Sequence, residues 1–148
     1  MRKRIEYSPI VRYASRLPNM KGIADCLDNV RKRINAQARS RAIALVAVSK
    51  LQPAQSIRAL AALGQRRFGE NYVQEALSKQ AQLGDLDVEW HLIGPLQSNK
   101  CREAAHHFAW VHSVDRAKLV PLLARDRPEE MGALNLLIQV NIDRKSVV

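Results

Sequence analysis

The chain has 148 residues, of which 47% are hydrophobic and 26% are charged, and its formal net charge at pH 7 is +10. These values fit one soluble globular domain that is long enough to bury a core, and no apolar run approaches the roughly 20 residues of a membrane-spanning helix. The two cysteines, Cys26 and Cys101, have neither a CxxC nor a zinc-type spacing. The composition therefore predicts a cytoplasmic protein without a disulfide framework, a metal site or a membrane partner.

The positive charge is concentrated in two segments. Residues 1–19 carry five basic side chains against the single acidic Glu6. A second basic group surrounds the next segment and comprises Arg31, Lys32, Arg33, Arg39 and Arg41. Although Tyr7 and Tyr13 lie in the first segment, we see no aromatic-interleaved basic motif, and the pattern therefore disfavours a nucleic-acid-binding module. Residues 1–19 also lack an apolar period, so we expect a basic extension outside the fold, with Met20 as the true start.

The first predicted element is a helix, because Ile23, Leu27, Val30 and Ile34 recur at helical spacing. The apolar run of residues 44–48 follows, and it predicts a strand buried on both faces of a parallel sheet. After it, a proline-started helix runs over residues 53–63.

Strands and helices then alternate at intervals of roughly twenty residues, which predicts βαβ units and a parallel sheet. The predicted strands cover residues 67–71, 88–94, 109–114 and 134–142. The helices between them cover residues 72–83, 98–108 and 115–125, and Pro121 is expected to kink or interrupt the last one. This α/β pattern fits a doubly wound sheet and the first five units of a (β/α)8 barrel equally.

Lys50 ends the first predicted strand, at the place where α/β folds collect their chemistry. A lysine in such a partly desolvated position can present a neutral amine that attacks a carbonyl, as a Schiff base with an aldehyde cofactor requires. The alternative is a solvated lysine that merely ends a strand.

Other strand ends carry polar motifs as well. In chain order they are AVSK (47–50), FGENYVQE (68–75), WHLIGPLQSNK (90–100), HSVD (112–115) and QVNI (139–142). Together, in this order and spacing, they closely resemble the pyridoxal phosphate homeostasis protein family, which has an alanine-racemase-like barrel. The resemblance extends from about Met20 to Ile142.

The resemblance implies a (β/α)8 TIM-barrel-type fold of which about the first five units are present. It implies pyridoxal 5′-phosphate held as a Schiff base on Lys50, with Asn71, His91 and Asn141 at strand ends around the cofactor. It further implies a role in vitamin B6 and amino-acid homeostasis without established catalytic turnover. The expected partners are the cofactor and amino acids, and the expected state is a monomer.

Two alternatives follow from the same residues. An amino-acid racemase or decarboxylase on this barrel would need a separate β domain and a partner subunit's tyrosine, for which the chain has no room. A metal shared by His91 and His112 is disfavoured because no Cys or carboxylate stands at metal spacing.

We expect Glu70 to be solvated, with an acid or base role as its alternative, and Lys79 to be a surface lysine.

The resemblance stops at Ile142, and the family's phosphate-binding loops follow the fifth strand. We therefore expect residues 20–142 to be a partial barrel domain and the chain to be a fragment. Residues 143–148 read DRKSVV, which a common sequencing adapter encodes in one frame, so we expect them to be a non-native tail.

Overall fold

The structure is a computed structural model that describes residues 20–38 and 41–140. The predicted extension (1–19), the predicted tail (143–148) and Asn141 lie outside these ranges. Of the helices that the structure describes, none has both the length and the apolar character needed to cross a bilayer.

The predicted alternation of helices and strands is confirmed in type and order. The elements are α1 (Met20–Gln37), β1 (Ala47–Val48), α2 (Ala54–Ala62), β2 (Arg67–Glu70), α3 (Val73–Gln82), β3 (Glu89–Leu92), α4 (Cys101–His107), β4 (Trp110–Val114), α5 (Leu119–Arg125) and β5 (Asn135–Ile138). Short 3₁₀ turns precede α4 and β5, at Ser98–Lys100 and Glu129–Met131.

The strands form one parallel sheet in the order β1-β2-β3-β4-β5, so neighbours in sequence are neighbours in space. A doubly wound sheet reverses its strand order at a switch point. The strands that the structure describes show no such reversal, and the sheet is therefore singly wound.

One face of the sheet packs against the helices and forms the core. Strand side chains alternate between faces, and the register pairs Phe68 with Trp90 and Leu92 with Val111 on the helix side. The helices contribute small and branched residues to the same cluster, namely Ile57, Ala76, Ala104, Ala105, Leu119 and Leu123. Burying each large aliphatic or aromatic side chain stabilises the fold by about 2 kcal/mol.

The prediction that residues 44–48 are buried on both faces is wrong. Only Ala47 and Val48 of this run pair as a strand, and Val48 is 56% exposed. This exposure arises because β1 is an edge strand of the described sheet and has a single neighbouring strand. The opposite edge behaves in the same way, since Ile138 of β5 is 80% exposed.

Pro121 neither kinks nor interrupts a helix. The predicted helix at residues 115–125 begins only at Leu119, after a turn closed by hydrogen bonds to the carbonyls of Arg116 and Ala117. Pro121 therefore lies in the first turn of α5, where backbone N–H groups have no intrahelical acceptor.

Gly94 generates the first prediction, because a Cβ atom there would overlap the backbone of Asn71. We expect Gly94→Ala to lower the free energy of unfolding by about 2 kcal/mol or more, since backbone has to move to make room. Urea denaturation measures this change. Gly84→Ala is the matched control, because its added Cβ would come no closer than 3.9 Å to another atom. Equal midpoints for the two variants would contradict the close approach of the segments that follow β2 and β3.

Candidate functional site

The candidate site lies at the carboxyl ends of the strands, an edge of the sheet that we call the carboxyl edge. Lys50 follows β1, Asn71 follows β2, and Gly94 follows β3. Because the strands are parallel, these positions lie along one edge. The close approach of Gly94 to the backbone of Asn71 brings two of the connecting segments together.

The backbone around Lys50 is fixed on both sides. The Ser49 N–H donates to the carbonyl of Gly69 at 2.9 Å, and the Gln52 N–H donates to the carbonyl of Ser49 at 3.0 Å. Leu51 adopts a φ of +61°, the left-handed region that residues with a Cβ rarely enter. The Lys50 side chain is exposed and has no hydrogen bond or ion pair with any residue that the structure describes. The predicted partial desolvation of Lys50 is therefore wrong, because the residue lies in an exposed turn after β1.

A buried ionic network supports this turn, and we call it the Lys79 cluster: Ser49, Glu70, Glu75 and Lys79. The Lys79 Nζ donates to the Ser49 carbonyl at 2.7 Å, to Glu70 Oε1 at 2.8 Å and to Glu75 Oε1 at 2.7 Å. All three ammonium donors are thus used. The Lys79 side chain is 7% exposed and the Glu70 side chain is fully buried.

The two carboxylates of the Lys79 cluster also bind the Lys50 turn directly. Glu70 Oε1 accepts from Ser49 Oγ at 2.5 Å, and Glu75 Oε1 accepts from the Leu51 N–H at 2.6 Å. The hydrogen bond from Lys79 holds the pKa of Glu75 below its usual value, against the opposing effect of burial. Glu70 Oε2 has no hydrogen-bond partner among the described residues.

The predictions for Glu70 and Lys79 are both wrong, because each side chain is buried. Glu70 is the last residue of β2 and faces the helix side together with Phe68. Lys79 lies on the buried stripe of α3 with Val73 and Ala76. Two signals in the sequence point to this arrangement: the three-residue spacing of that stripe, and Glu75 four residues before Lys79.

A second polar network lies on the opposite face of the sheet, and we call it the histidine chain: Arg67, Glu89, His91 and His112. Glu89 Oε1 is 2.9 Å from Arg67 Nε and 2.9 Å from His91 Nε2. His91 Nδ1 is 2.9 Å from His112 Nε2. The Trp110 ring stacks on His91, with ring centroids 5.7 Å apart and an interplanar angle of 5°.

The direction of these hydrogen bonds follows from the protonation states. Burial is the largest cause that lowers the pKa of His91, against the opposing effect of Glu89, and burial also lowers the pKa of His112, so both rings are neutral at pH 7. The Glu89 carboxylate can only accept, so His91 Nε2 carries the proton and His91 Nδ1 accepts from His112 Nε2. Burial acts to raise the pKa of Glu89, but the hydrogen bonds from His91 and Arg67 hold it below its usual value.

The structure distributes the predicted site residues over two places. Lys50 and Asn71 follow neighbouring strands at the carboxyl edge. His91 lies within β3 and not beyond its end, and both of its ring nitrogens are engaged in the histidine chain. Asn141 lies outside the described residues. Within residues 20–38 and 41–140, no group of three or more His, Cys, Asp or Glu side chains is placed to hold a metal ion.

Several curated proteins with similar sequences carry the same name. The pyridoxal phosphate homeostasis proteins of Pseudomonas aeruginosa PAO1 and Escherichia coli K12 are 51% and 49% identical to this chain, over 128 and 131 residues. Each alignment covers 83% of this chain and 56% of the relative, so the chain spans about half the length of the curated relatives it matches. No protein-family model matches the chain.

Two solved structures of one similar protein, PipY, also superpose on this chain. PipY of Synechococcus elongatus PCC7942 without PLP superposes with a TM-score of 0.70 at 49% identity, covering 81% of this chain and 54% of PipY. PipY with PLP bound superposes with a TM-score of 0.60 at 50% identity, covering 70% of this chain and 47% of PipY. The fold and the carboxyl edge thus define an α/β protein with a parallel sheet of the PipY type. The predicted resemblance to the pyridoxal phosphate homeostasis proteins is confirmed.

The histidine chain generates the second prediction. Because the folded pKa values of His91 and His112 lie below the usual 6.5, the unfolded state takes up protons first as the pH falls. The stability that is present above about pH 6.5 should therefore be lost as the pH drops below that value. Urea unfolding at about pH 7.5 and about pH 5.5 measures the loss.

Burial also lowers the pKa of His107, so His112→Gln removes one of three such groups and should reduce this loss by roughly a third. His106→Gln, which changes an exposed histidine of α4, is the control and should leave the contributions of His91 and His112 in place, although its charge helps to lower the pKa of His107. The same loss in the parent and in His112→Gln would contradict the prediction.

Proposed function

We propose that this protein binds pyridoxal 5′-phosphate through Lys50 and acts in vitamin B6 homeostasis. The observation that carries the proposal is the exposed amine of Lys50, which has no partner within residues 20–38 and 41–140 and is held in a fixed turn at the carboxyl edge. The names of the curated relatives and the PLP-bound PipY structure support it.

The two lysines near the carboxyl edge, Lys50 and Lys79, differ in how well they could form a Schiff base with the cofactor. A Schiff base forms when a neutral amine attacks the aldehyde carbon, and the new C=N bond is completed with loss of one water molecule. Lys79 is unsuited to this step because it is buried and donates all three of its hydrogen bonds within the Lys79 cluster. Lys50 fits, because its amine is accessible and has no competing partner among the described residues. When bound, the cofactor supplies the aldehyde.

The structural support for a cofactor-binding role differs among the other predicted residues. Asn71 follows β2, the strand beside β1, so its polar amide lies on the same edge as Lys50. His91 has no free ring nitrogen, and any role it has toward the cofactor passes through the histidine chain. Asn141 remains a prediction, since the structure does not describe it.

For the fold, we propose that the sheet forms the first five strands of an alanine-racemase-like (β/α)8 barrel. Its singly wound, all-parallel order is the order of such a barrel. Exposed apolar side chains at both sheet edges, Val48 and Ile138, also fit, because closing a barrel removes edge strands.

We further propose a cytoplasmic monomer that binds the cofactor and exchanges it with amino acids without catalysing a reaction of its own. The curated relatives are named for homeostasis and not for a reaction. The competing function is an amino-acid racemase or decarboxylase, and turnover of free alanine or lysine by the PLP-loaded protein would favour it.

Covalent labelling provides the third prediction. Borohydride reduction of the protein with limiting pyridoxal phosphate, followed by peptide mapping, should label Lys50 on the order of tenfold more than the exposed Lys118. Lys50→Arg should remove this label without adding to the label on Lys118. Equal labelling of Lys50 and Lys118 would show that the amine at the carboxyl edge has no special affinity for the aldehyde, and would contradict the proposal.

A further inference from the structure

We propose that the Lys79 cluster is a positioning device that sets the backbone on both sides of Lys50 and so aims its amine at the cofactor aldehyde. This inference rests on the proposed function, because it assigns a role to residues around the same lysine. Neither Lys79 nor Glu75 touches the reacting atoms in this role, and both act through the chain at residues 49–51.

On the N-terminal side of Lys50, the Lys79 cluster holds Ser49 by side chain and main chain together. Lys79 Nζ binds the Ser49 carbonyl at 2.7 Å, and Glu70 Oε1 accepts from the Ser49 hydroxyl at 2.5 Å. With the strand-end bond from the Ser49 N–H to Gly69, every polar group of Ser49 is engaged. The peptide that enters Lys50 therefore has a single orientation.

On the C-terminal side, the Lys79 cluster holds Leu51 in a backbone conformation that its side chain disfavours. Leu51 has a φ of +61°, and its own side chain is exposed, so packing does not select this conformation. Its N–H donates to Glu75 Oε1 at 2.6 Å, and Glu75 is oriented in turn by Lys79 at 2.7 Å. The contact with Glu75 thus offsets the backbone strain immediately after Lys50.

A purely stabilising role explains these contacts less well. Burying an ion pair gains little over apolar packing, because desolvation consumes most of the attraction. Glu70 also leaves one buried carboxylate oxygen without a partner among the described residues, which costs further stability. The contacts of Lys79 instead converge on Ser49 and, through Glu75, on Leu51, the two neighbours of Lys50. That convergence is what a positioning role requires.

The experiment compares Glu75→Ala with Glu103→Ala in the full chain. Both glutamates are partly exposed helix residues paired with a lysine, and their side chains are 24% and 32% exposed. Glu75 pairs with Lys79 of the Lys79 cluster, whereas Glu103 pairs with Lys100, which is not part of that cluster. Three quantities are measured: the borohydride-fixed label on Lys50 relative to Lys118, the hydrogen-exchange rate of the Leu51 amide, and the thermal midpoint. The amide exchange rate reports on the turn without any cofactor.

We expect Glu75→Ala to lower the label on Lys50 about fivefold and to accelerate Leu51 exchange by a similar factor, as loss of one hydrogen bond implies. Its thermal midpoint should fall below that of Glu103→Ala, because a buried ammonium donor loses its acceptor, so the labels are compared at a temperature where both variants are folded. Glu103→Ala should label Lys50 as the parent chain does. Wild-type label on Lys50 in Glu75→Ala overturns the inference. So does a decrease that only follows the fraction of unfolded protein.

A second variant, Lys79→Met with Glu70→Gln, removes both buried charges together and leaves only the partly exposed Glu75 carboxylate without its lysine. It should also lose label on Lys50, and full labelling in this folded variant would equally overturn the inference. If this variant does not fold, Glu75→Ala decides alone. Failure of the proposed function is distinguishable, because it appears as absence of preferential Lys50 labelling in the parent chain itself.

Discussion

The ion pair between Lys79 and Glu70 is the interaction on which the carboxyl edge depends. It joins the end of β1, the end of β2 and helix α3 at one buried point, since Lys79 also binds the carbonyl of Ser49. Two buried charges are tolerated there because every donor of the ammonium has an oxygen acceptor within 2.8 Å. A neutral side chain of similar length would fill the space but would leave the turn at Lys50 without its internal support.

The alternation of side chains along the strands keeps two polar networks apart. Phe68 and Glu70 face the helices, whereas Arg67 and Gly69 face the other way, and the register carries the same division into β3. The Lys79 cluster therefore has full charges in the helix layer, and the histidine chain has neutral rings on the opposite face. Because the histidine chain ends on a carboxylate that accepts from Arg67 and His91, its hydrogen bonds all run toward Glu89.

The helices, the strands and the position of Lys50 after β1 could be predicted from the sequence. The side-chain contacts between different helices and strands could not. Apolar periodicity and turn residues are local, so the strands, the helices and the positions of Lys50 and Asn71 at strand ends could be predicted. Burial of Glu70 and Lys79 depends on which face of β2 meets which face of α3. The pairing of His91 with His112 depends on the register of β3 with β4, and the exposure of Val48 depends on its strand being at an edge. For Lys79 the spacing along α3 gives only the stripe on which it lies, and the other two facts are not encoded in a window of adjacent residues.

The singly wound strand order has a consequence for assembly during synthesis. Each strand pairs with the one made just before it, so a βα unit can dock on its predecessor as soon as it leaves the ribosome. Contacts of this kind span short stretches of chain and carry a small loop-closure entropy. The support of the Lys50 turn is complete once α3 has formed, whereas the histidine chain must wait for β4. The order of translation thus builds the turn around Lys50 before the opposite face of the sheet acquires its paired histidine rings.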